Sequence, residues 1–204
     1  MPALDFYLEA REAVSNSLYR SEMEWQANLQ FKNLSETDFL REAAWVVVNS
    51  GFREAIARRC FNFVSLAFGD WESARHIVKN RELCIECALA SFKNSRKIQA
   101  IADIAERVEN DGFASLAQSI VNDPISTLIE LPFIGPITVW HLAKNIGCDV
   151  AKPDRHMVRV AGAFGFSCVH EFCAEISKAT GEKISVVDIV IWRYCTSLSS
   201  SRIH

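Results

Sequence analysis

No excess of positive charge runs through this chain. The net charge is −3 at pH 7, which excludes a protein that coats nucleic acid by bulk electrostatics and leaves any such binding to local charge and backbone amides. No apolar run reaches the roughly 20 residues needed to span a bilayer, and the acidic opening MPALDFYLEA reads as unlike a secretory leader. Alternation long enough to build a sheet is missing, as are internal repeats, low-complexity runs and an obvious linker. Cys84 and Cys87 have the spacing of a metal-ligand pair, but no second pair lies at a suitable distance. The seven cysteines, an odd number set among apolar neighbours as at Cys60 and Cys195, suit reduced core thiols in a cytoplasmic protein.

What the sequence does have is apolar side chains at helical spacing. Half of the 204 residues are apolar, enough for a substantial core in one domain or two small ones. Residues 3 to 19 carry Leu4, Leu8, Val14 and Leu18 among charges, and Met23, Trp25 and Leu29 continue the pattern. Ser35 or Thr37 caps a helix whose segment 39–48 is too apolar for a surface and should be central to the fold. Asn49-Ser50-Gly51-Phe52 breaks that run. Gly69-Asp70 starts a further helix with Trp71, and Asn80 precedes another through Leu83, Ile85 and Leu89. Asn94 opens a regular helix that buries Ile98, Ile101, Ala105 and Val108, with Arg96 and Lys97 at its start read as solvated charges that could reach phosphate. Beyond Gly112, helical stretches follow at 113–120, 125–130, 155–164, 170–180 and 185–198. Ser185 and Asp188 have capping-box spacing, and the tail 199–204 reads as frayed.

The densest set of backbone signals lies in LPFIGPITVWHLAKNIGCDVAKPDRHMVRVAGAFG, residues 131–165. Pro132 stops a preceding helix, Gly135 permits a bend that side chains resist, and Pro136 suits a helix start, giving helix, tight turn, helix. The amides near Gly135, Ile137 and Thr138 then have no partner within the helix and can hold an anion such as a backbone phosphate. The second helix carries an apolar stripe at Val139, Leu142, Ala143 and Ile146 and ends at Gly147. Asp154 follows Pro153 and caps the next helix.

Leu131-Pro132, Ile134-Gly135 and Thr138, followed by Asp154, His156 and Arg159-Val160 in the pattern D-x-H-x-x-R-V, resemble the helix-hairpin-helix DNA glycosylase superfamily of endonuclease III type. The resemblance implies an all-α fold of two helical domains with a cleft between them. One would span 36–149 and end in the hairpin; the other would combine 1–35 with 150–204. It also implies a hairpin backbone, Phe133 to Thr138, that clamps one DNA strand, and Asp154 as the catalytic acid. Two departures stand out. Family members often have Gly at the position of Phe133, so the turn takes a different conformation here or Phe133 serves as a wedge beside the DNA. Bifunctional members carry a lysine two residues after the second hairpin glycine, where this chain has Ile137, and isoleucine forms no Schiff base with a sugar. The resemblance therefore points to a monofunctional glycosylase. Lys144 lies roughly 10 Å further along by helix rise, too far to substitute, while Lys152 stays an outside candidate. Only Cys168, Cys173 and Cys195 lie where some relatives hold an iron–sulfur cluster, so no cluster and no cofactor are expected, with a cation at the hairpin left open.

Breaking an N-glycosidic bond develops positive charge on the sugar, which one carboxylate can stabilise while orienting the attacking water. The base must be extruded from the duplex into a pocket where aromatic faces stack on it. Trp45, Trp140, Phe52, Phe133 and Trp25 are candidates for that pocket, with His141 as a hydrogen-bonding partner, and Asn49, Ser50 and Phe52 for the probe of the base or the gap it leaves. Phe133, Ile134, Gly135, Ile137 and Thr138 with Lys152, Arg155 and Arg159 form the expected DNA-binding set. The expected partner is double-stranded DNA with a damaged or modified base, most simply a purine, alkylated or oxidised. The protein would be monomeric, free of membrane, and nucleoid-associated if bacterial. A non-catalytic helix-hairpin-helix DNA-binding protein and an interaction module with a merely architectural hairpin are the alternatives.

Overall fold

The structure, a computed structural model, describes residues 2–198; the tail 199–204 lies outside the described residues. The helices are, in chain order, α1 (Pro2–Ser15), α2 (Arg20–Asn28), α3 (Glu36–Asn49), α4 (Glu54–Ala67), α5 (Ala74–Lys79), α6 (Arg81–Ser91), α7 (Ser95–Asp111), α8 (Phe113–Asn122), α9 (Pro124–Leu128), α10 (Thr138–Asn145), α11 (Arg155–Ala163), α12 (Val169–Thr180) and α13 (Ile184–Arg193). A π-helical turn, Tyr194–Leu198, continues α13, and no strand occurs among the described residues. No described helix is long and apolar enough to cross a membrane. By internal contacts the chain divides into two units, Lys32–Leu142 and Met1–Phe31 with Ala143–His204.

In Lys32–Leu142, α3 starts where the Ser35 hydroxyl accepts the Asp38 amide at 3.1 Å. It is buried on nearly every side, at Phe39, Leu40, Ala43, Ala44, Val46, Val47 and Val48, because it packs against both α4 and α7. The α7 stripe Ile98, Ile101, Ala105 and Val108 is buried, and Gly112, at φ +77°, ends the helix in a conformation that disfavours side chains. The stretch at Gly69-Asp70 departs from the expected helix start. It is a 3₁₀ turn in which Asp70 and Trp71 take φ values of 49° and 65°, and the next helix begins only after Ser73, whose hydroxyl accepts the His76 amide. That left-handed excursion lets Trp71 turn inward to stack on Phe68, with ring centroids 5.4 Å apart.

The other unit is built on α1, α12 and α13. The buried face of α1 is Ala3, Tyr7, Ala10 and Val14, while Leu8 and Leu18, expected on it, are 49% and 80% exposed. Ala3 and Ala10 on this face allow close approach of α1 to α13, and the leucines fall off it. Tyr7 donates to Glu182 at 2.5 Å, and Arg11 donates to the other oxygen of the same carboxylate. Phe172, Cys173, Ile176, Val187, Val190 and Ile191 complete the core. Gly147 meets a strict steric demand. A Cβ there would lie 2.5 Å from the backbone nitrogen of Phe31, and the residue closes α10 at φ +97° as Cys148 and Gly147 donate back to Ala143 and Lys144.

Candidate functional site

The hairpin turn forms as its prolines and glycine dictate, with one unexpected backbone feature. Phe133 lies at φ +67°, a region that costs an L-residue about 1–2 kcal/mol. The turn therefore keeps the backbone a glycine would favour, with phenylalanine bearing the strain. The Gly135 amide is not open to a phosphate as expected: it donates to the Thr138 hydroxyl at 2.7 Å, and that hydroxyl in turn donates to the Gly135 carbonyl. The amides of Ile137 and Thr138 have no acceptor among the described residues, so these two are the unpaired amides of the turn. Ile137 and Phe133 are 45% and 39% exposed, whereas Ile134 is buried beneath them as an anchor.

Lys97, expected at the surface, is 3% exposed. Its Nζ donates to the carbonyls of Val48 at 2.8 Å and Ser50 at 2.5 Å. It also lies 4.4 Å from the ring centroid of Phe52, 5.6 Å from that of Phe133 and 5.9 Å from that of Phe92. This one ammonium therefore gathers the end of α3, the loop after it and the hairpin. Burial without a carboxylate pushes its pKa down to about 8, and the carbonyl dipoles and ring faces compensate part of the lost hydration. Helical register carried a signal of this. Lys97 stands one turn before Ile101 and in line with Ile104 and Val108, on the buried stripe of α7.

Of the expected probe residues, Asn49 and Ser50 are half-buried and Phe52 is exposed, and the structure brings Phe52 and Phe133 to the same lysine. The Asn49 side-chain oxygen is buried without a hydrogen-bond partner. Trp45 belongs elsewhere: it packs edge-on to Phe61 at 5.2 Å with the Arg58 guanidinium over its ring, a contact between α3 and α4. Trp140 and His141 are half-buried on α10.

In the second unit, Asp154 is the N-cap of α11. Its Oδ1 accepts the amides of His156 at 2.9 Å and Met157 at 3.1 Å, while Oδ2 makes no hydrogen bond among the described residues. Two donors thus hold the carboxylate in place, and one of its oxygens stays available. Arg155 and Arg159 are exposed one turn apart on α11, and Lys152 is half-buried.

Lys144 is 5% exposed and paired with Asp188, itself 1% exposed. The capping box expected at Ser185 and Asp188 is therefore absent. Both side chains are buried, Lys183 is the N-cap and its side chain makes no capping hydrogen bond, and the Ser185 amide donates to Asp149 Oδ1 at 2.9 Å. A carboxylate satisfied by a buried lysine no longer turns back to its own helix start. The cysteines are free thiols, and burial pushes those of Cys84 and Cys148 up, the latter to about 11. No group of three or more His, Cys, Asp or Glu among the described residues is placed to hold a metal ion.

No family model matches the chain, and no curated protein matches its sequence. Two solved structures match its fold. The 8-oxoguanine DNA glycosylase of Methanocaldococcus jannaschii superposes with a TM-score of 0.62 over 94% of each chain at 17% identity. A structure of the 8-oxoguanine glycosylase/lyase from the same organism, in complex with a 15mer DNA containing 8-oxoguanine, gives a TM-score of 0.54 at 18% identity over 92% of this chain and 96% of that one. The chain shares the all-α fold of these neighbours.

Proposed function

We propose that the protein is a DNA base-excision repair glycosylase that hydrolyses the N-glycosidic bond of a damaged or modified purine in double-stranded DNA, without a cofactor. The observation that carries this is the state of Asp154: one oxygen is held by two backbone amides and the other is uncommitted, at the residue that follows the hairpin in the D-x-H-x-x-R-V pattern. A fixed carboxylate of this kind stabilises the positive charge that develops on the sugar and orients the water that attacks it. The amides of Ile137 and Thr138 hold a backbone phosphate, Arg155 and Arg159 add local positive charge, and Phe52 and Phe133 fill the space left by the extruded base.

Hydrolysis stops at the abasic site in this proposal. Ile137 stands where a Schiff-base lysine would be needed, and Lys144 is buried against Asp188. Both neighbours act on 8-oxoguanine by their names, and one is a glycosylase/lyase, so the oxidised purine is the first lesion to offer and the lyase step the first distinction to test.

The experiment is a panel of duplexes, each with one lesion and led by 8-oxoguanine and alkylated purines, incubated with protein and then with alkali. Breaks that form only after alkali, and that fall by about 10²–10⁴-fold in Asp154→Asn, are the expected result. Breaks before alkali would assign a lyase amine to the chain, and salt-sensitive binding with no abasic sites on any lesion would make it a non-catalytic DNA-binding protein.

A further inference from the structure

The loop that delivers Asp154 has no regular structure between the end of α10 and the start of α11, yet it is bound at two points to the first turns of α13. The Ser185 amide donates to Asp149 Oδ1 at 2.9 Å, and the Lys152 amide donates to Asp188 Oδ1 at 3.0 Å. The Lys152 carbonyl then accepts the amide of Asp154 itself at 2.9 Å. Asp188 uses its other oxygen to hold Lys144, so hydrogen bonds link the Lys144 ammonium to Asp188, Asp188 to the Lys152 amide, and the Lys152 carbonyl to the amide of Asp154. Pro153, with its fixed φ, removes slack from the last step.

A buried ion pair is poorly explained by stability, because apolar side chains of similar volume in its place are often neutral or stabilising. An apolar pair would leave the Lys152 amide without its acceptor. We propose that Asp188, whose Oδ1 accepts the Lys152 amide, is a positioning residue that sets the place of the Asp154 carboxylate. This rests on the glycosylase reading of Asp154 given above. Asp188 acts through the loop backbone and touches no substrate.

Two double variants separate the hydrogen-bond acceptor from the charge. K144M/D188N removes both charges and keeps an oxygen for the Lys152 amide; K144M/D188L removes both charges and the acceptor. K144M/D188V is the second apolar variant, to which the same outcomes apply if leucine prevents folding. Base excision, read as strand breaks after alkali, is measured as kcat and KM, and amide hydrogen exchange is followed at Lys152 and Asp154 in the full chain. We expect K144M/D188N to stay within about threefold of wild type in kcat. K144M/D188L should lose about tenfold or more in kcat with KM unchanged, since a small misplacement of a reacting group is enough for such a loss. Its Lys152 and Asp154 amides should exchange faster than those of K144M/D188N. Equal kcat in the two variants, or wild-type protection of both amides in K144M/D188L, would overturn the proposal. A wild-type protein that forms no abasic site in any lesion duplex would instead defeat the glycosylase reading, and the exchange comparison would still decide whether Asp188 holds the loop.

Discussion

Each of the two units buries one lysine, and the two are accommodated in opposite ways. Lys144 is 5% exposed and meets an equally buried carboxylate, Asp188, so charge answers charge. Lys97 is 3% exposed and meets two carbonyls and three aromatic rings, so its charge is answered by dipoles and ring faces alone. The surroundings differ as well. Asp188 is almost wholly buried, whereas Phe52 and Phe133 are 41% and 39% exposed. The first arrangement is an internal brace, and the second lies just beneath an aromatic surface. Burial alone does not decide what an ionisable group does; the polarity and exposure of what surrounds it decide that.

Breaking one half of the ion pair tests the comparison most severely. Asp188→Asn alone leaves the Lys144 ammonium buried without its counter-charge, and urea unfolding should show a loss of about 3–5 kcal/mol. Lys97→Met removes a charge that has no counter-charge to strand. It leaves the Val48 and Ser50 carbonyls without their donor, and the same measurement should show a smaller loss of about 1–3 kcal/mol. Lys97 should also show itself by pH. Between pH of about 8 and 10.5 the unfolded chain keeps the Lys97 proton while the folded chain has released it. The unfolded state then binds more protons, so this group makes stability rise with pH across that window. Melting curves at pH 7.5 and 9.5 should show the rise attributable to Lys97 in wild type, and Lys97→Met should lack it.

The finest test concerns the ring above Lys97. Phe133→Ala keeps a side chain at φ +67° and loses the aromatic contact; Phe133→Gly loses the same contact and relieves the backbone. The glycine variant should therefore be the more stable of the two by about 1 kcal/mol in paired unfolding curves. If the exposed ring serves the duplex, both variants should lose the same fraction of base excision despite that difference in stability.

Local chemistry was legible in the sequence. Pro132, Gly135 and Pro136 force a turn, Asp154 after Pro153 reads as a cap, and Ile98, Ile101, Ala105 and Val108 mark one helix face, because each effect acts within a few residues of its cause. Even Phe133 was identifiable as the odd residue of the turn, though its left-handed backbone was not. Only the tertiary structure decided what the charged residues do. Lys97 meets carbonyls 47 and 49 residues away, Lys144 meets Asp188 across 44, and Asp188 reaches the Lys152 amide across 36. At those separations no spacing rule applies, and a lysine that looks solvated beside its neighbours in sequence can be buried by partners that only folding brings to it.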